Sequence, residues 1–273
     1  MSDKQAQDLI DRLSKMRPEH DQFDKLLGDC AEFCLPFSEG TLNQPDNTSI
    51  SARLFDETAL LAGEFFDCAM HGMLTNPAGT WFALETEDPD QMENDEVKNF
   101  LQHATKRMHH ILSNTNFHTA MAQEYTHLRT FGTAPIYAEE DRERGVRFKP
   151  AYIGSIYCAE NNREIIDTTF REFTFTARQA SQQWGEAALP KAIKDALKSQ
   201  SADRERKFKF IHATFPREDR GTASKKSTDM PFASFYVNID EQVVIAEGGY
   251  FENPWQLRGG RSRGARPMDL LRP

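Results

Sequence analysis

Apolar residues recur at spacings of three and four over much of the first 131 positions and alternate every second residue beyond Gly132. Leu9, Ile10, Leu13 and Met16 share one helical face, and Phe23, Leu26, Leu27, Cys30, Phe33 and Cys34 continue the stripe until Leu35-Pro36 stops it. Pro18 either kinks this stretch or opens a second helix at a first-turn position, where a missing N–H costs least. Residues 37–52, rich in Ser, Thr, Asn, Gly and Pro, predict a loop. A further stripe follows in Leu60, Leu61, Phe65, Cys68, Ala69, Met73 and Leu74, with Asp56 as its N-cap and Asn76-Pro77-Ala78-Gly79 as its stop. It reads as a core helix packed under a sheet, its small residues Ala59, Ala62, Gly63 and Ala69 letting another backbone approach closely. Trp81-Phe82-Ala83-Leu84-Glu85 reads as a short strand. Helices are predicted from about 93 to 113 and from Phe117 to Phe131, parted by Asn114-Thr115-Asn116.

The alternating half begins with a hairpin, Ala134–Glu139 against Val146–Lys149, around a charged turn. Tyr152–Ala159, Ile165–Phe175, Phe208–Phe215, Phe232–Ile239 and Val243–Glu247 read as further strands, interrupted by short helices over Ala177–Trp184 and Pro190–Lys198. The expected class is therefore α+β, with N-terminal helices packed on mostly antiparallel strands. One domain is expected over residues 1–255, helical in 1–131 and strand-rich in 132–255, followed by an irregular Arg/Gly-rich tail, 256–273.

Composition narrows the function more than it defines it. A length of 273 residues allows a substantial core, and 20 Phe against 3 Trp make that core Phe-built. A formal charge of −9 disfavours non-specific attraction to nucleic acid or anionic membrane, yet is compatible with a surface past which DNA moves without sticking. No signal-peptide pattern opens the chain and no run of eighteen apolar residues occurs, so synthesis in a cytosol and no membrane partner are expected. Cys30, Cys34, Cys68 and Cys158 are too scattered for a disulfide framework and read as reduced thiols.

Candidate chemistry is sparse. No phosphate loop of the GxxxxGK[ST] type and no GxSxG elbow occur. His103, His109, His110, His118 and His127 invite a metal reading, but no repeated i,i+4 pair faces one way, and surface or interhelical roles are expected. His71 is expected to be satisfied by backbone or solvent, and the cluster Arg204, Arg206, Lys207 and Lys209 reads as the solvated face of a strand. No catalytic, cofactor-binding or metal-ligating residue is assigned. An enzyme, for instance a hydrolase with carboxylates assembled by folding, stands as the alternative class.

Collinear short motifs carry more. Leu35-Pro36, Leu54-Phe55-Asp56, Gly72-Met73-Leu74-Thr75-Asn76-Pro77 with Trp81-Phe82, Ser113-Asn114-Thr115-Asn116-Phe117 and Phe131-Gly132-Thr133-Ala134 come first. Ala159-Glu160-Asn161, Phe170-Arg171-Glu172-Phe173, Thr176-Ala177-Arg178-Gln179, His212, Pro216-Arg217, Pro231-Phe232-Ala233-Ser234 and Glu247-Gly248-Gly249-Tyr250 follow, with Pro254 at the end. In this order the chain resembles the head-to-tail connecting (portal) proteins of short-tailed, T7-like bacteriophages.

The resemblance implies the outer, wing-like α+β part of a ring subunit, usually one of twelve copies at a capsid vertex, with no catalytic residues and no cofactor. Its implied partners are further copies of itself, capsid, scaffolding, terminase and tail proteins, and passing double-stranded DNA bound without sequence preference. The ring would serve capsid assembly, DNA packaging and DNA ejection, and would reside in the virion after synthesis in the bacterial host cytoplasm. Pro36, Gly72, Thr75, Pro77, Gly132, Thr133, Pro216, Gly248, Gly249 and Pro254 would then be backbone-geometry positions. Trp81 and Phe82 would be core anchors, and Phe55, Asp56, Phe117, Arg171, Arg217 and Tyr250 structural motif positions. The family pattern continues into channel-lining helices, whereas here Arg258-Gly259-Gly260-Arg261-Ser262-Arg263-Gly264 breaks with the acidic chain before it. A frameshift or internal deletion giving a truncated product is the expectation, with a genuine basic tail as the alternative.

Overall fold

The computed structural model describes residues 2–35, 56–141, 143–199, 201–218 and 226–259. In chain order the helices are α1 (Ser2–Asp21), α2 (Asp24–Cys34), α3 (Thr58–Leu74), α4 (Pro89–Met92), α5 (Asp95–Asn114), α6 (Phe117–Phe131), α7 (Ala177–Trp184), α8 (Lys191–Lys198) and α9 (Ser201–Arg204). The strands are β1 (Thr133–Asp141), β2 (Gly145–Pro150), β3 (Ile156–Glu160), β4 (Ile166–Thr176), β5 (Lys207–Pro216), β6 (Phe232–Asn238), β7 (Val243–Tyr250) and β8 (Trp255–Gly259). The class is α+β, with antiparallel pairing throughout.

Two compact units divide the chain, one of residues 28–152 with 255–260 and one built mainly from 1–27 with 153–254. The second is an antiparallel meander of five strands in the order β3-β4-β5-β6-β7. Alternation gives each strand two faces. On one face, Ala6, Leu9 and Leu13 of α1 pack on Tyr157, Phe170, Ile211, Ala213, Ala233, Phe235 and Val237. On the other, Phe173, Phe175, Phe208 and Phe210 meet Ala177 and Ala180 of α7, Trp184, and Ile193 and Ala196 of α8. The even-numbered face of β4 also explains why Arg17 of α1 reaches Glu172 and Arg12 reaches Thr168. Helix α7 is held at its start by a reciprocal capping box: Gln179 N–H donates to Thr176 Oγ1 at 3.2 Å, and Thr176 N–H donates to Gln179 Oε1 at 2.9 Å.

The first unit carries α3, α4, α5 and α6, a core of Phe117, Met121 and Tyr125, and a small sheet in the order β2-β1-β8. Gly132 ends α6 in the left-handed conformation at φ 72°, a position that disfavours any Cβ, and the chain turns directly into β1.

Several elements depart from expectation. Pro18 lies inside α1, and the break comes only at residues 22–23, where Phe23 N–H still donates to His20 O at 2.9 Å. Trp81–Glu85 is not a strand, because it has no ladder partner. Its backbone is held instead from α5, by Thr105 Oγ1 accepting from Leu84 N–H at 3.0 Å and His109 Nε2 lying 3.0 Å from Phe82 O. Ile153–Ser155 forms a 3₁₀ turn rather than the start of a strand. Gln256–Gly259, expected as part of an irregular tail, belongs to β8 and pairs with β1 from Thr133↔Gly259 to Tyr137↔Trp255.

Candidate functional site

Helix α3 forms where the apolar stripe predicts it, but the stripe faces outward. Asp56 caps it one residue earlier than a standard N-cap: its Oδ1 accepts from Thr58 N–H at 3.0 Å, while Glu57 holds the N-cap position. The inward face is Leu60, Gly63, Asp67, Met70 and His71, which are half-buried or buried. Asp67 accepts from Arg129 Nε at 3.0 Å and Nη2 at 3.2 Å, and from Thr126 Oγ1 at 2.8 Å, all on α6. A bidentate guanidinium–carboxylate pair fixes rotation as well as distance. Gly63 makes room for it, since a Cβ there would lie 2.4 Å from the Arg129 guanidinium carbon.

The core-helix reading of this stripe is therefore overturned. Leu61, Phe65, Phe66 and Met73 project to solvent, with Phe65 76% and Met73 82% exposed. In the same unit Phe100, Met108 and Ile111 of α5 are exposed too. Soluble monomers rarely leave a run of large apolar side chains uncovered along one helix, and a face like that of α3 suits a surface that another protein covers.

Behind it lies an aromatic and histidine layer. Trp81 stacks on Phe117 at 5.6 Å and meets His109 edge-on, while Phe82 stacks on His109 at 4.1 Å, so both anchor packing from a loop. Thr75 and Tyr125 hydroxyls are 3.0 Å apart and buried. His71 is not satisfied by backbone or solvent alone, because its Nε2 lies 3.4 Å from His118 Nδ1. Burial holds the His118 pKa below its ordinary value, and the neighbouring His71 and His109 lower it further. Burial likewise lowers that of His127, against a hydrogen bond with the Ala151 backbone.

For both, the folded state favours the neutral ring. Stability is complete above the ordinary pKa of about 6.5 and is lost as pH falls through the depressed folded values. The urea midpoint of this unit should therefore drop between pH 7 and pH 5, and the H118Q/H127Q variant should show a shallower drop. An equal slope in wild type and variant would refute the assignment.

Of the remaining motif positions, Pro36 and Phe55 lie outside the described residues, Gly72, Pro77 and Thr133 belong to the unit of residues 28–152, and the others fall in the meander unit. Gly72 and Pro77 sit exposed at the end of α3 and in the turn after it. Thr133 is buried at the start of β1. Arg171 lies on β4 with its guanidinium 5.4 Å from the Phe173 ring. Pro216 ends β5 opposite Phe232, and Tyr250 ends β7 opposite the same residue. Arg217 donates to Glu247 Oε1 at 3.1 Å and Gly248 O at 3.2 Å, tying the β5 exit to β7. Gly249 lies under the 3₁₀ turn Ser227–Asp229, and Pro254 is buried just before β8. These positions do not converge on one site; they are spread over turns, strand ends and strand interiors.

Sequence reasoning missed Asp67, Arg129 and His20. The first two are ordinary charged residues until a partner 62 positions away appears. The histidines between 103 and 127 assemble no group of three ligands among the described residues, whereas His20, Asp21 and Asp24 do. Cys30, Cys34, Cys68 and Cys158 are free thiols, and burial pushes that of Cys158 up to about 12, an inert value. Among the described residues no helix is long and apolar enough to cross a membrane.

Comparison with known proteins gives the context for the exposed apolar face of α3. The family described as bacteriophage head to tail connecting protein matches residues 6–257. The portal protein of Salmonella phage epsilon15 is 27% identical over 270 residues, covering 95% of this chain and 48% of its own length. The probable portal protein of Bordetella phage BPP-1 is 26% identical over 273 residues, covering 96% of this chain and 49% of its own. The chain thus spans about half the length of these relatives.

Proposed function

Because the chain belongs to the bacteriophage head to tail connecting protein family, we propose that it acts as a structural subunit, or the N-terminal part of one, in a portal ring joining capsid to tail. The exposed apolar face of α3 supports this reading, since it is the kind of surface that assembly covers. The role requires no catalytic residue and no cofactor. Its place is the capsid vertex of the virion, reached after synthesis in the bacterial cytoplasm. Its partners are further copies of the chain in a ring of about twelve (the number implied by the family resemblance, cyclic closure being the general rule), together with capsid, scaffolding, terminase and tail proteins.

Double-stranded DNA would pass without base-specific contact. The net charge of −9 supports that part of the reading, because an acidic surface repels phosphate rather than binding it.

Electron microscopy of the purified protein at increasing concentration tests the proposal. Concentration-dependent self-association is expected, and closed rings with a central channel would be its fullest form. A strictly monomeric protein at every concentration, with a hydrolytic activity that survives purification, would replace it with the enzyme alternative.

A further inference from the structure

His20 is 2% exposed, at the last turn of α1, and its ring packs 4.6 Å from that of Tyr157. It borders a cavity of about 680 Å³ between α1 and β3, together with Met16, Phe23, Ile153 and Cys158. Its Nε2 lies 3.3 Å from Ile153 O. A carbonyl oxygen only accepts, so Nε2 carries the proton, and in the neutral ring Nδ1 is a bare lone pair. That Nδ1 is buried without any hydrogen-bond partner, yet Asp24 Oδ1 stands 3.3 Å away and off the hydrogen-bonding direction.

Two lone pairs facing each other at this distance repel unless a positive species lies between them. A hydrogen bond from Nδ1 fits poorly, because Asp24 Oδ1 lies off the direction that a near-linear hydrogen bond needs. Coordination fits better. Two ligands in a tetrahedral shell with bonds of about 2.1 Å stand roughly 3.4 Å apart, each off the other's axis. Asp21 completes the set, since ligand atoms of His20, Asp21 and Asp24 all lie within 4.8 Å of one another. Both carboxylates are exposed and free to close that gap by rotation, while the imidazole is fixed by its backbone contact. A histidine that ligates a metal through one nitrogen has its other N–H held by a carbonyl in just this way. The C-terminal end of a 20-residue helix adds a partial negative charge.

We propose that His20, Asp21 and Asp24 form a divalent transition-metal site, suited to zinc, that clamps the corner between α1 and α2. One imidazole with two carboxylates leaves a fourth position for water. The nitrogen ligand selects zinc-like ions over magnesium, which prefers an all-oxygen shell.

The test uses tag-free, chelator-stripped protein titrated calorimetrically with zinc chloride, with magnesium chloride as control. One saturable zinc site per chain and a raised melting temperature are expected, with no response to magnesium at the same concentrations. D24N and D21N alter exposed side chains, so each should melt like metal-free wild type while binding zinc at least about tenfold more weakly. H20Q should remove binding, but it is secondary because it alters a buried ring. Absence of saturable zinc binding in wild type overturns the proposal. So does a zinc affinity unchanged in both D21N and D24N, which would place the ion elsewhere, for instance at His71 and His118.

Discussion

Replacing Phe65 and Met73 by glutamate is expected to abolish self-assembly while leaving the fold of the chain intact. Both side chains are more than three-quarters exposed on α3, so their loss removes little intramolecular packing. Exposed substitutions of this kind usually change stability by no more than about 0.5 kcal/mol, and glutamate is a good helix former. In an assembled contact the balance reverses. Covering a Phe or Met side chain contributes roughly 1.5–3 kcal/mol, and F65E/M73E both forfeits that and buries two charges. Repeated at every contact of a ring, the penalty exceeds what a marginal interface tolerates. Sedimentation velocity, with electron microscopy of the same samples, should show the variant as monomer where wild type associates. If F65E/M73E assembles like wild type, α3 is not the assembly face.

Adding one methyl group at Gly249 is expected to cost about 3 kcal/mol, a large share of a domain's stability. A Cβ there would sit 2.4 Å from Ser227 O and 2.7 Å from Phe232 O, and backbone oxygens cannot swing aside as a side-chain end can. The same change at Gly248 meets nothing within 4 Å, so G248A should fall within about 0.5 kcal/mol of wild type. Urea unfolding followed by circular dichroism compares the two. Equal midpoints for G249A and G248A would show that the Ser227–Asp229 turn yields freely and that Gly249 is not required there.

Local pattern fixed most of the elements. Helices α3, α5, α6, α7 and α8 lie where apolar spacing and stop residues put them, because a helix is set by contacts three and four residues apart. The strands of the meander are equally legible, since each has a partner adjacent in sequence order and shows alternating burial. Gly132 and Gly185 both take positive φ at helix ends, as their positions after Phe131 and Trp184 suggest. Family membership was also readable, because it rests on the order of many short motifs rather than on any one of them.

What the sequence by itself determined about this protein is thus the element types, their order, the α+β class and the family. Tertiary structure alone decided which way those elements face. The apolar stripe of α3 looks like core in one dimension. Its inward face carries the Asp67–Arg129 pair between α3 and α6, and Phe65 and Met73 lie outside. Trp81–Glu85 has strand-like residues but pairs with no strand among the described residues, and side chains of α5 hold its backbone groups instead. Residues 256–259 look irregular until β1 offers an edge to pair with. His20, Asp21 and Asp24 are neighbours in sequence, yet only the Ile153 carbonyl, brought in by the fold, fixes the tautomer that leaves Nδ1 open to a cation. In each case the deciding interaction joins segments far apart in the chain, and no local pattern encodes a partner it does not contain.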